Sequence, residues 1–165
     1  MKHRAILFAI KETKMSLKIG DKLPFFTSVD SHGNNFELRD YIGQPLVIYF
    51  YPKDETRVCT EQACSFRDNY EEFKEFGSEV IGISSDSVQS HTNFKNKFNL
   101  PFILLSDENK AIRKMFGVSK DYLGLIDGRT TFVADKNGII QFVFDSTSGK
   151  IHIEKALKIV QELTK

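Results

Sequence analysis

The chain has 165 residues, 41% of them hydrophobic and 27% charged, with 23 Lys and Arg against 22 Asp and Glu for a net charge of +1. This is ordinary globular usage at a length that suits one domain, which excludes the disordered, collagenous and low-complexity classes. A near-neutral balance offers no electrostatic footprint for nucleic acid or an anionic membrane, and two cysteines are too few for a disulfide-stapled mini-protein.

At the amino terminus Lys2 and Arg4 accompany an apolar run over residues 5–10, imitating the start of a secretory signal. The run is six residues long, charged Lys11, Glu12 and Lys14 follow it, and no small-residue cleavage site is present. Residues 1–14 are therefore read as an extension, either native or the product of a start site upstream of Met15, and residues 15–165 as the domain. No stretch approaches the ~20 apolar residues of a membrane span. The expected location is the cytoplasm, with neither membrane nor nucleic acid as a partner.

Leu46 to Tyr51 is a continuous apolar and aromatic run, which predicts a buried strand ended by Pro52. Ala63, Phe66, Tyr70 and Phe73 fall at helical spacing and predict one amphipathic helix over 61–76, beginning near Thr60 and stopped by Gly77. Residues 79–84 (EVIGIS) predict a second buried strand. Val88, His91, Phe94 and Phe98 mark a helix that stops before Pro101, and residues 102–105 a third strand. Asp107 is placed to cap a short helix carrying Ala111, Ile112 and Met115. The β-rich runs 130–134 and 139–144 flank Asp135-Lys136-Asn137-Gly138, a strong hairpin signal. A final helix over 152–163 presents Ile153, Ala156, Leu157, Val160 and Leu163 on one face. The pattern predicts an α/β domain, a mixed sheet with helices on both faces and right-handed parallel crossovers.

Cys59 and Cys64 are the only thiols. Cys59 falls at the predicted strand-to-helix junction, where helix N–H groups and the helix dipole favour an anion and make a thiol a better nucleophile. Cys64 lies five positions on, inside the predicted helix. Residues five apart on an intact helix have Cα atoms more than roughly 8 Å apart, whereas a disulfide needs them within about 7 Å. Joining the two sulfurs would therefore unwind at least the first helical turn. Spacing alone leaves a redox role and simple burial both open, because free cysteine is commonly a small core hydrophobe. A metal site is not expected: two thiols without a nearby His make an incomplete set, and His3, His32, His91 and His152 are scattered and read as surface or helix-packing residues. No local base supports a Cys/His hydrolase, and no cofactor is implied.

The segment Pro52-Lys53-Asp54-Glu55-Thr56-Arg57-Val58-Cys59 matches P-x-x-x-T-x-x-C, the active-site pattern of peroxiredoxins, and residues 60–68 (TEQACSFRD) resemble the peroxiredoxin Q, or bacterioferritin comigratory protein, subgroup. Residues 79–84, 100–118 and 128–141 agree, so the resemblance runs from about Leu17 to Leu163 and leaves 1–14 outside. It implies a thioredoxin-like fold. One departure stands out: Arg57-Val58 occupies the place where the family usually has Pro-Gly. Losing Gly disfavours positive φ and losing Pro frees the backbone, so a loop of altered geometry or stiffness is expected.

The resemblance also implies a mechanism. Cys59 is the peroxidatic residue and becomes a sulfenic acid. Thr56 supplies a hydroxyl and the Cys59 N–H another donor, Arg129 holds the thiolate and meets the peroxide oxygens, and Pro52 shields the sulfur. Cys64 resolves the sulfenic acid into an intrachain disulfide that thioredoxin or a similar dithiol protein reopens. A resolving thiol on the same chain needs no second subunit, so a monomer is expected. Simpler roles compete: Thr56 as a helix cap, Pro52 as a strand terminator, Arg129 in a surface ion pair. Arg57 reads as a solvated side chain, and Asp54 and Glu55 suggest no acid–base work. Two other functions stay in view, a redox sensor whose disulfide switches a partner interaction, and a disulfide reductase, although the latter class normally uses C-x-x-C where this chain has C-x4-C.

Overall fold

The computed structural model describes residues 16–121 and 123–165; the predicted extension 1–14 lies outside the described residues. The centre is strand β3 (Leu46–Phe50), buried throughout. Its side chains alternate between faces, so Val47 and Tyr49 enter one core while Leu46, Ile48 and Phe50 enter the other. Strand β4 (Glu79–Ser84) pairs parallel to β3, and β5 (Ile103–Ser106) parallel to β4. On the other side of β3, β8 (Thr130–Ala134) runs antiparallel, and β9 (Ile140–Asp145) returns beside it through the expected Asp135–Gly138 turn. An amino-terminal hairpin, β1 (Thr27–Asp30) and β2 (Asn35–Glu37), adds the far edge, giving the order β2-β1-β5-β4-β3-β8-β9. A two-stranded ribbon, β6 (Lys120–Asp121) and β7 (Ile126–Asp127), precedes β8.

Helices cover both faces, as the periodicity predicts. Helices α1 (Arg57–Asp68), α2 (Tyr70–Glu75), α3 (Val88–Phe98) and α5 (Ile151–Leu163) place Phe66, Phe73, Phe94, Ile153 and Val160 against Val47 and Tyr49. Helix α4 (Ala111–Phe116) places Ile112 and Phe116 on the opposite face with Ile48, Phe50 and Phe132. Asp107 caps α4 as expected, its carboxylate accepting the N–H groups of Ile112 at 3.0 Å and Arg113 at 2.8 Å.

Three findings differ from the sequence reading. The predicted helix over 61–76 is two helices, broken at Asn69, whose backbone leaves the helical well (φ −108°, ψ 5°) and whose amide donates to the Ser65 carbonyl at 2.8 Å. A short polar side chain competing for backbone partners explains the break. The first helix also begins earlier, at Arg57, because extended Thr56 is its N-cap residue. The β1–β2 hairpin has no apolar periodicity to announce it; its turn is tied by Asp30, which accepts the N–H groups of His32 (2.8 Å) and Asn34 (2.9 Å).

Candidate active site

Two segments far apart in sequence meet because β3 and β8 are antiparallel neighbours with Phe50 opposite Thr130. The register brings the residues just past β3, Tyr51 and Pro52, to the level of Arg129, just before β8. Buried Arg113 locks the junction: its guanidinium donates to the Tyr51 carbonyl at 2.9 Å and to the Gly128 carbonyl at 2.7 Å, the groups immediately preceding Pro52 and Arg129. The planar fork of arginine suits two acceptors at once.

Cys59 is the third residue of α1 and only 2% exposed. The first internal bond at this end of the helix runs from the Thr60 N–H to the Thr56 carbonyl at 2.8 Å. The amides of Arg57, Val58 and Cys59 therefore have no intrahelical acceptor and direct positive potential toward the site. Arg129, 4% exposed, donates from Nη2 to Cys59 Sγ at 3.2 Å. Its Nη1 donates to Oε1 of Gln62, which faces inward one turn on from Cys59. The sequence reading did not single out Gln62; its signal was the i, i+3 spacing from Cys59, which puts both on one face of the helix. Gln62 Nε2 and Arg129 Nε are buried without a hydrogen-bond partner, leaving donors unspent beside the sulfur.

Pro52, Thr56, Val58, Cys59, Ile126 and Arg129 line one cleft of about 260 Å³. Four of the five expected residues thus converge. Cys64, the fifth, is half-buried further along α1, outside the cleft, and both thiols are free. Thr56 departs from expectation in its hydrogen bonding. Its hydroxyl donates to the Lys53 carbonyl at 2.9 Å, so toward the cleft it offers lone pairs rather than a proton, and it makes no side-chain cap to α1. The Arg57-Val58 departure does not distort the backbone: both residues are helical, and neither is among the described positive-φ positions. Arg57 is exposed, and it also lines the cleft beside Thr56 and Val58. Among the described residues no group of three or more His, Cys, Asp or Glu is placed to hold a metal ion.

The far wall of the site is the segment before α5. Gly149 lies so close to α1 that a Cβ would sit 2.8 Å from the Val58 carbonyl oxygen and 3.0 Å from Gln62 Cβ, which leaves no room for a side chain. Buried His152 ties this wall to the sheet, with Nε2 donating to the Ser146 carbonyl (3.0 Å) and Nδ1 accepting from the Thr131 hydroxyl (2.8 Å). Burial, reinforced by the charge of Arg129, pushes the His152 pKa down to about 4 although the Ser146 bond opposes the shift. Between about pH 6.5 and pH 4 the unfolded chain binds a proton at this ring that the folded chain refuses, so the stabilisation is full above that window and is lost as pH falls through it. The loss should be about 3 kcal/mol. Urea unfolding at pH 7 and pH 4.5 should show a smaller drop in His152→Gln than in the parent protein.

A buried sulfur held by a guanidinium at a helix start, in a cleft lined by Pro52 and Thr56, is the arrangement that enzymes reducing peroxides with a thiol require. The AhpC/TSA family model matches residues 19–143. Over 145 residues the chain is 50% identical to the chloroplastic peroxiredoxin Q of Oryza sativa subsp. japonica, covering 87% of this chain and 67% of that protein. It is 49% identical to the chloroplastic peroxiredoxin Q of Sedum lineare, covering 87% and 78%. Among solved structures, the peroxidoxin BcpB of Mycobacterium tuberculosis superposes with TM-score 0.82 at 34% identity, covering 89% of this chain and 98% of that one. A Xanthomonas campestris peroxiredoxin Q superposes with TM-score 0.80 at 32% identity, covering 85% and 92%. The chain belongs to the AhpC/TSA family, in its peroxiredoxin Q branch, and is a thiol-dependent peroxidase acting on hydroperoxides at the expense of a thiol reductant.

Proposed function

We propose that Cys59 is the peroxidatic thiol and Cys64 its resolving partner, that a thioredoxin-type dithiol protein completes the cycle, and that the enzyme works as a monomer. The observation that carries this reading is the 3.2 Å contact between Arg129 Nη2 and Cys59 Sγ at the floor of the cleft. The Cys59 thiolate attacks one oxygen of the hydroperoxide, the O–O bond breaks, and the departing hydroxide or alkoxide takes a proton from water. Arg129 and the free amides of the first turn of α1 stabilise the charge growing on that departing oxygen. Thr56 accepts the peroxide O–H and so aligns the O–O bond with the sulfur, while Pro52 keeps bulk water off it.

Cys59 is left as a sulfenic acid. Cys64 attacks its sulfur, water departs, and a disulfide forms within one chain. Along intact α1 the two Cα atoms are about 8–9 Å apart, beyond the reach of a disulfide, so residues 57–62 unwind while Ala63 and Phe66, buried in the core, keep the rest of α1 seated. A dithiol protein then takes over the disulfide by exchange. Steady-state hydroperoxide consumption with thioredoxin, its reductase and NADPH tests the cycle. Sustained turnover is expected, with Cys64→Ser consuming a single equivalent and then stopping. A protein that oxidises once and does not cycle would be a redox sensor instead.

A further inference from the structure

Asp54 sits between β3 and α1, two residues before Thr56, and is 6% exposed. Tyr51 Oη donates to its Oδ1 at 2.6 Å and Ser90 Oγ to its Oδ2 at 2.8 Å. Burial, with the Asp54 charge beside it, pushes the Tyr51 phenol well above its ordinary range, so this oxygen is the donor. His91 of α3 is fully buried, with Nδ1 2.7 Å from Asp54 Oδ2 and Nε2 3.0 Å from the Leu105 carbonyl. A carbonyl can only accept, so Nε2 carries a proton, and a second proton lies on the line between Nδ1 and Oδ2. Ring and carboxyl therefore form one buried, fully hydrogen-bonded unit. The Asp54 N–H adds a bond to Asp86 Oδ2 at 2.8 Å, and that carboxylate accepts from Ser84 Oγ at 2.7 Å. Residue 54 is thus fixed by Tyr51 just past β3, by Asp86 held to Ser84 of β4, by Ser90 and His91 of α3 and, through His91, by β5. The next residue, Glu55, has φ 59°, a conformation that costs a non-glycine residue energy and persists only where its surroundings impose it.

We propose that Asp54 and His91 are a positioning pair for the peroxide reaction. Neither lines the cleft; together they hold the loop 52–56, and through it Pro52 and Thr56, against the Cys59 sulfur. The inference rests on Cys59 as the reacting thiol. Asp54→Leu, His91→Leu and the double variant test it, because an aliphatic side chain can neither give nor take the bridging proton. Per folded molecule, the second-order rate of Cys59 oxidation should fall at least tenfold in each single variant. The double variant should lose no more than the worse single one, as a unit demands. Hydrogen exchange of amides 53–60 should quicken at least tenfold while amides 80–83 of β4 stay unchanged. Folded variants with the parent rate and parent exchange would overturn the pairing. Should the variants fail to fold, nuclear magnetic resonance of the reduced parent protein decides: two slowly exchanging protons are expected, one on His91 Nε2 and one in the hydrogen bond between Nδ1 and Asp54, and the loss of either would overturn it. Exchange and ring protons need no peroxide, so a protein whose Cys59 proves inert would refute the proposed chemistry without obscuring whether the pair holds the loop.

Discussion

Serine at position 59 should remove all measurable hydroperoxide reduction. The replacement keeps the shape of the side chain and the donors around it, including Arg129 Nη2 and the free amides of α1. It changes only the atom proposed to react, and a hydroxyl neither ionises near neutral pH nor attacks an O–O bond as a thiolate does. Cys64 cannot stand in, because it lies outside the cleft, and the hydrogen bond that Arg129 gives to a thiol goes to Cys59. Stopped-flow or competition kinetics with hydrogen peroxide provides the check. Activity in Cys59→Ser at even a hundredth of the parent rate would move the reacting thiol elsewhere.

The second large effect belongs to Arg129. Its guanidinium divides its work, with Nη2 on the sulfur and Nη1 on Gln62 Oε1. Arg129→Met removes the donor from both and leaves the Gln62 oxygen buried without a partner. Loss of one preorganised donor to developing charge costs about 10²–10³ in rate in comparable sites, and that is the expected fall in the rate constant for Cys59 oxidation. Arg129→Lys should recover little of it, since an ammonium is a point donor and cannot span the sulfur and Gln62 together. A fall of less than threefold in Arg129→Met would remove Arg129 from the reaction.

Much of this candidate site was legible through the resemblance to peroxiredoxins, since spacing alone left Cys59 open between redox chemistry and simple burial. Pro52, Thr56 and Cys59 fall on that family's short motif at the end of a strand whose six-residue apolar run is unmistakable, and Arg129, just before β8, matches the family's arginine. What the sequence left hidden is what depends on tertiary contact. The start of α1 at Arg57 was hidden because Thr56 is followed at the third position by Cys59, so no Glu or Gln completes a capping box there. His91 and His152 read as packing residues, since nothing local reveals that Asp54 and Leu105 await one ring and Thr131 and Ser146 the other. Arg113 lies on an ordinary amphipathic stretch, and only the antiparallel register of β3 and β8 gives it two carbonyls to bridge. Gly149 looks like a loop glycine until α1 is packed against it. The Arg57-Val58 substitution predicted a perturbed loop, yet those positions are helical and accept any L-residue.

One equivalent of hydrogen peroxide, followed by rapid quenching and mass spectrometry of the reduced protein, puts the chemistry of the two sulfurs to the most direct trial. The intact chain should lose two hydrogen atoms, with the peptide bond-mapped to a link between residues 59 and 64, and Cys64→Ser should instead gain one oxygen on Cys59. Oxidation confined to Cys64, or a Cys59 that remains open to alkylation after the peroxide is consumed, would contradict it.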